Sequence, residues 1–594
     1  MIQRSRVSSG DCWDLTLLFK TMEDWKIACS QLEVGVNDLD SYQGKLGVAE
    51  QNLFEYFQKK FSLLERLESV SYYAYLKRAE DLGNSIFQGL HSKAMHLQTL
   101  FAVKCSFENP ELLNLSEDII EKYLQSELLK PYRMVLEKTF RYKNHVLSAV
   151  EEKIIAAYQD VESGPQKIFA ALTSADFSFD DMETLLGTEP LTHSSYPIFL
   201  LNEDREIRKQ AFSKFYKQFD LHKNSLAQTF SCSVKQDCLR AKLHNFPSAI
   251  EASLYRDNVP LSVYDGLIEA VTEKLSVLKK YFLLRKKKLG LDKIYTYDLK
   301  IPLFAETKKS FKYNEAVELC IDSLRVLGNE YTSTLEDGLR NGWVDRYENK
   351  GKQQGAFSAS TYKGPPYIML NFQEKSFDSI FTLTHEAGHS MHSMYSKKCN
   401  SFQDYKYSIF VAEVASTFNE ELLFQHLIAN TKDENFKTYL INKKIDDILN
   451  TLFRQTMFAE FEKLTHAAEE KGEALTLDSM RLIYKNLFEK YFCGVVQATD
   501  VNDLEFLRIP HFYNAFYVYK YATGLSAAMS LALGVLKQPE KNLKPYMQFL
   551  SSGGSKFPIE QLELAGVKMR DGDAVKKALN QFSVLVDELE YRLN

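Results

Sequence analysis

Apolar residues recur at intervals of three and four through residues 50 to 105 and again through 117 to 160, the spacing that lays one apolar stripe along an α-helix. DCWDLTLLF, near the start, reads as a capped opening helix, and FENPELLNLSEDII as a loop running into another helix start. LTSADFSFDDMETLL and LTHSSYPIFLLNEDREIRKQAFSKFY bracket a boundary near residue 190, and long amphipathic helices resume from about 203. LYRDNVPLSVYD interrupts them: Pro260 ends an extended piece and opens the next helix, where its missing N–H is not needed. Between 294 and 374 the pattern changes, and IYTYDLKIPLF and GWVDRYENKGKQQGAFSASTYKGPPYIMLNF mix Gly, Pro, Lys and aromatics with short β-prone runs. Gly355 to Ser358 and Tyr367 to Asn371 are the strand candidates of a small sheet. Helical spacing then returns, with no internal repeat and no low-complexity tract. The pattern predicts a mainly α protein, with an N-terminal helical lobe over residues 1–190 and a second domain over 191–594.

Composition narrows the function classes. The 594 residues, 45% apolar and 13% aromatic, are enough for one or two large cores. A net charge of −6 shows no global basic field, which argues against nucleic acid or an anionic membrane as a partner. The run from Arg285 to Lys288 is expected to be the solvated end of a helix. MIQRSRVSSGDCWDLTLLF lacks the apolar core of a signal peptide, and no apolar run is long enough to span a bilayer, so the expectation is a soluble cytoplasmic protein. Eight cysteines without a C-x-x-C pair read as reduced, mostly packed thiols.

The chemistry concentrates in TLTHEAGHSMHS, residues 382 to 393, which contains His385, Glu386 and His389 in the order H-E-x-x-H. Positions four apart share a helix face, so His385 and His389 can close on one tetrahedral zinc ion while Glu386 reaches a water held there as general base. Ile380, Leu383, Ala387, Met391 and Met394 form one stripe of that helix, with His385, His389 and His392 roughly opposite. Ser376 reads as the N-cap and Asp378 as a first-turn carboxylate. Gly388, between the two histidines, points to close approach by other backbone or by substrate. His392 stands about 10 Å along the axis from His385, too far to share one ion, and reads either as support for a ligand or as a packed histidine. A two-histidine zinc site needs a third protein ligand, commonly a carboxylate. Glu413, 24 residues beyond His389 in the small apolar setting V-A-E-V-A-S, is the choice, since a metal removes the cost of burying it there. Glu420 falls on the same face two turns later, either bonded to a ligand histidine or solvated.

H-E-x-x-H with a zinc-held water and a glutamate base is the chemistry of a zinc peptidase, and a strand edge near such a site lets an extended peptide pair through its backbone, so Gly355 and Ala356 are candidate substrate contacts, the alternative being a plain structural hairpin. In EFLRIPHFYNAFYVYKYATGLSAAMSLALG, Phe512, Phe516 and Val518 read as core. His511, Tyr513, Tyr517, Tyr519 and Tyr521 carry donors that need partners if buried and that, beside a zinc site, could stabilise an oxyanion.

HEAGHSMHS, FVAEVASTFNE, RIPHFYNAFYVYKYATG and FLSSGGSKFP, together with LYRDNVP, GKQQGAFSAS and GPPYIMLNF, resemble the oligoendopeptidase F branch of the thimet-oligopeptidase-like zinc metallopeptidases. The resemblance runs from about residue 190 to the end and more weakly before it. It implies a two-lobed helical shell around a deep substrate channel, with one zinc ion per chain on its wall. It implies Glu413 as third ligand, Glu386 as base, and His511 with tyrosines of the 511–521 segment as oxyanion and substrate contacts; the assignment adopted is His511 and Tyr517 for the oxyanion, Tyr513 and Tyr519 for substrate. The expected reaction is internal cleavage of short unfolded peptides. An exopeptidase would need groups that grip a free terminus, and none is identified in the sequence.

Overall fold

A computed structural model describes residues 2–185, 187–304 and 310–593. Helices dominate it, as the periodicity predicts, and the few strands are short. The chain forms two compact units, each assembled from three segments: Met1–Val146, Thr307–Ala429 and Leu531–Val567 in the first, Leu147–Glu306, Asn430–Ser530 and Lys568–Asn594 in the second. Residue 190, where the sequence pattern is divided, lies inside the first segment of the second unit.

In the first unit the opening helix is Met22–Asn37, started by a capping box in which Thr21 and Asp24 satisfy each other's backbone N–H groups. DCWDLTLLF is not that helix; it folds as short 3₁₀ turns, Ser9–Asp11 and Leu15–Leu17. Tertiary bonds override its helical look: the Trp13 indole donates to Glu80 at 2.7 Å and the Asp14 N–H to the Gly342 carbonyl at 2.7 Å. Glu50–Glu80 and Ser85–Lys104 then pack against Met22–Asn37 through Leu32, Val36, Leu53, Phe57 and Leu97, all fully buried. Each such side chain contributes roughly 1.5–3 kcal/mol of burial.

The expected small sheet lies in this unit and packs on the motif helix, Asp378–Cys399. Its strand order is Val344–Asp345, Pro366–Met369, Phe357–Ser360, with the last pair antiparallel and Ser358 opposite Ile368. The edge strand begins two residues later than its sequence suggests. Gly355 has φ +86°, outside strand geometry, and Asn371 closes the turn by donating to the Gln353 and Gly355 carbonyls at 3.0 and 2.9 Å. Ser358 and Ser390 hydroxyls bond at 2.9 Å and tie the edge strand to the motif helix. The buried stripe of that helix is the anticipated one, with Ile380, Leu383, Ala387 and Met391 at 1% exposure or less. Its cap is Phe377, not Ser376, because the chain enters the helix one residue later, and Asp378 occupies the first turn.

The second unit holds Arg205–Leu221, Lys223–Leu243, Arg454–Glu470 and their neighbours. Pro260 caps Leu261–Glu273 from extended backbone, as its sequence indicates. Ile294–Tyr295 pairs in parallel with Val496–Gln497. The basic run at 285 splits: Lys287 and Lys288 are exposed, but Arg285 is fully buried, donating to the Tyr281 hydroxyl at 3.1 Å and lying 3.6 Å from Asp446. Its long stem and fixed fork suit a buried polar knot that composition alone does not reveal. All eight cysteines are unpaired; Cys29 and Cys320 are buried and Cys399 is exposed. Among the described residues no helix is long and apolar enough to cross a membrane.

Candidate metal centre

On the motif helix the i, i+4 spacing brings the His385 and His389 rings to 4.8 Å between centroids, at 81° to each other. The return helix, Ile409–Asn430, runs against that face, and Gly388 is what permits it. A Cβ on Gly388 would stand 2.5 Å from the Ala415 carbonyl oxygen and 2.6 Å from the Ser416 Cα, so any side chain would force the helices apart. The close approach inferred for this glycine is therefore made by backbone. It seats Glu413 over the histidines: Glu413 Oε2 lies 3.3 Å from His385 Nε2 and 3.5 Å from His389 Nε2. Ser416 Oγ steadies the same oxygen at 3.2 Å.

These three donors are a group that could hold a metal ion, with their ligand atoms all within 4.8 Å of one another. Four ligands about 2.1 Å from a tetrahedral ion stand about 3.4 Å apart, close to the two spacings just given. Glu420 Oε1 is hydrogen-bonded to His385 Nδ1, leaving Nε2 for the centre. Of the two readings of Glu420, the histidine-bonded one holds.

Glu386 is 6% exposed, and its Oε2 has no hydrogen-bond partner among the described residues. Burial raises its pKa; His385 and His389 oppose that rise, while Glu413 and Glu420 add to it. For His385, burial disfavours the charged ring, yet hydrogen bonds to Glu413 and Glu420 raise its pKa to about 10. Glu413 is half-buried; desolvation disfavours its charge, but the two histidines hold its carboxyl below the usual range. Three carboxylates thus converge on two imidazoles, and the field between them favours a cation. The donor set and the orphaned Glu386 oxygen fit a metal with an adjacent base.

His392 is not among the donors. It is fully buried, stacked on Tyr407 with 3.7 Å between centroids and 3° between planes, so the packed reading is the right one. Neither ring nitrogen has a partner among the described residues, and burial lowers the pKa to about 3, with His389 adding to the effect. His392 must stay neutral in the folded state, whereas in the unfolded chain it protonates below about pH 6.5. Its contribution to stability is complete above that pH and is lost as the pH falls toward 3. His392→Phe, which forfeits no hydrogen bond, should reduce the stability lost between pH 6.5 and pH 5 by about 2 kcal/mol, read from denaturant unfolding at the two pH values. An unchanged pH dependence would contradict the neutral buried ring.

The residues of the 511–521 segment lie in the second unit. His511 is exposed and Tyr517 half-buried, their rings parallel within 9° at 6.0 Å. Tyr521 OH and His511 Nε2 are 3.3 Å apart. Phe512, Phe516 and Val518 are core, as anticipated. Tyr513 is half-buried against Phe169 at 4.8 Å, and burial raises its pKa. Tyr519, expected to contact substrate, is 1% exposed and packs on Tyr264 at 5.0 Å; the helix starting there turns it inward. Gly355 is exposed and Ala356 half-buried, both ahead of the edge strand.

One organising residue carries no local signal. Phe516 has φ +58°, costly for a bulky side chain, and its N–H donates at 2.9 Å to Glu462, which is fully buried on Arg454–Glu470. Burial raises the Glu462 pKa well above normal. A glutamate in an amphipathic helix reads as solvated, and only a contact 54 residues away in sequence shows otherwise.

Comparison with known proteins agrees with this geometry. Residues 198–581 match the model of peptidase family M3, and residues 111–179 match the model described as oligopeptidase F. The chain is 39% identical to an oligoendopeptidase F homolog of Borreliella burgdorferi, over 99% of both chains. It is also 39% identical to oligopeptidase PepF of Bacillus subtilis, over 99% of this chain and 88% of that one. The crystal structure of oligoendopeptidase-F from Enterococcus faecium superposes with a TM-score of 0.75 at 31% identity, covering 96% of this chain and 98% of the other. A family match over most of the chain, and relatives described as an oligoendopeptidase F homolog and as oligopeptidase PepF that align over its whole length, establish that the protein belongs to peptidase family M3, in its oligoendopeptidase F branch.

Proposed function

We propose that the protein is a zinc-dependent oligoendopeptidase that hydrolyses internal bonds of short, unfolded peptides. The observation that carries this reading is the meeting of His385, His389 and Glu413 beside the partnerless buried carboxyl of Glu386. Two imidazoles and a carboxylate, with room for a fourth ligand, are the donor set of catalytic zinc, and His385, His389 and Glu413 would hold one ion per chain. When bound, zinc supplies a Lewis acid that polarises a carbonyl and makes water a stronger acid.

The remaining steps belong to side chains. Glu386 accepts the proton of the attacking water and delivers it to the leaving amine; its raised pKa suits a group that must take a proton and give it up. Glu420 fixes the ring orientation of His385. The edge strand Phe357–Ser360, with Gly355 and Ala356 leading into it, offers backbone to an extended peptide; it lines a cavity of about 430 Å³ walled by Tyr72, Tyr75 and Met95. We assign the oxyanion to His511 and Tyr517, on their accessibility and on the family resemblance of their segment. Tyr513 keeps a substrate role in this proposal and Tyr519 does not.

We assign residues 1–190 the task of restricting access and 191–594 the catalytic role. Eight unpaired cysteines suit a reducing compartment such as the cytoplasm.

The reading is tested by substrate size. Peptides of roughly 6 to 20 residues should be cut internally with little side-chain selectivity, since backbone pairing dominates, whereas long chains lose too much conformational entropy on entry. Mass spectrometry of a peptide ladder and of casein separates the cases. Rapid loss of intact casein would show that entry is unrestricted, and stepwise removal of terminal residues would reassign the protein as an exopeptidase.

A further inference from the structure

The second unit contains a cavity of about 610 Å³, within the size range of small-molecule sites, whose charges do not balance. One wall carries Glu505, which accepts from Arg454 and from Arg508 at 2.7 Å each and from the Tyr484 hydroxyl at 2.8 Å. Two guanidiniums therefore share one carboxylate. Arg508 also donates through Nε to Tyr216 at 3.0 Å, which leaves its Nη1 without a partner among the described residues. The other acid of the lining, Asp446, is already taken by the buried Arg285 at 3.6 Å and by the Tyr281 hydroxyl at 2.6 Å.

Lys300 adds a further cation. Its Nζ donates to the neutral Asn450 amide at 3.3 Å and meets no carboxylate among the described residues. Lys300 is exposed at the rim of the cavity, yet the protein beside its ammonium lowers its pKa; Asp446 opposes that, Arg454 and Arg508 add to it, and Glu505 opposes it. Three cations of the lining, Lys300, Arg454 and Arg508, thus face two carboxylates, one of which is also shared with the buried Arg285, and the missing counter-charge is an anion. Much of the rest of the wall is apolar or aromatic, including Leu200, Phe212, Phe458 and Ile509. The Gln455 side-chain amide also lines the cavity without a partner among the described residues.

We propose that this cavity binds the free carboxylate of a short apolar peptide, with Lys300 as counter-ion and Gln455 bonded to the adjoining amide. A carboxylate matches an ammonium and a guanidinium edge, the aromatic wall takes a hydrophobic side chain, and the free amide needs a partner of its own. The inference rests on the peptidase reading only for the origin of the ligand: such a carboxylate is either the C-terminus of a bound substrate or that of a released product. No groups gripping a terminus are recognisable in the sequence, because Lys300, Arg454 and Arg508 meet only through the fold.

Calorimetry with N-acetyl-leucyl-phenylalanine on the Glu386→Gln protein reads binding without turnover. The acid should bind on the order of tenfold to a hundredfold more tightly than its C-terminal amide. Lys300→Met should erase that preference, and Lys300→Arg should restore most of it. Equal binding of acid and amide, or a preference that survives Lys300→Met, would overturn the site. Cleavage of longer peptides in acid and amide forms then identifies the source. A KM advantage for the acid that disappears in Lys300→Met places a substrate end in the cavity, and equal KM values place a product there. Because the calorimetric signal does not depend on hydrolysis, its failure leaves the peptidase reading intact, and failure of the peptidase reading leaves the binding result standing.

Discussion

Glu386→Gln should keep its metal and lose roughly 10³- to 10⁴-fold in kcat, the upper part of what a positioned general base contributes. The substitution is nearly isosteric, and Glu386 Oε2 has no hydrogen-bond partner to forfeit among the described residues. Burial already disfavours the charged carboxylate, so a neutral amide should leave the melting temperature unchanged or raise it. Full metal content, an intact fold and a lost rate would together isolate the base from the ligands. A Glu386→Gln protein that turns over at near-normal rates would remove Glu386 from this role.

The second large effect belongs to Glu413. Glu413→Ala removes the one carboxylate placed over both ring nitrogens, at 3.3 and 3.5 Å, and leaves two protein ligands. Metal affinity should then fall well beyond the roughly 10- to 100-fold expected of Glu420→Ala, which touches the centre only through His385. Turnover at saturating zinc should separate the two variants: Glu420→Ala recovers activity when metal is added, and Glu413→Ala does not. Retention of tightly bound metal by Glu413→Ala would move the third ligand elsewhere on the return helix.

How much of this could be read from the chain depends on whether a feature is local. The motif helix, its apolar stripe and the pair His385 and His389 follow from spacing of three and four, which a helix enforces within itself. Gly388 was legible as a close approach because a helix interior disfavours glycine, although only the fold shows that Ala415 and Ser416 arrive there. Glu413 was legible because an acid in an apolar run demands compensation. Features decided by distant contacts were not legible. DCWDLTLLF has helical composition, but Glu80 and Gly342 hold it in turns. Gly355 precedes the strand, not begins it, because Asn371 closes a turn there. Arg285 looks like the first residue of a solvated basic run and is buried in a polar knot with Tyr281 and Asp446. Tyr519 shares its donor chemistry with Tyr517, and only the direction of the helix it starts separates core from surface. The assembly of each unit from three segments has no signature in periodicity at all.

The central claim, that His385, His389 and Glu413 form the metal centre of a peptidase, is tested most directly by elemental analysis of the purified protein coupled to a peptide-cleavage assay, before and after chelation. The expected result is about one zinc per chain, loss of internal cleavage in step with its removal, and recovery on adding one equivalent back. Undiminished cleavage by protein stripped of metal would contradict it.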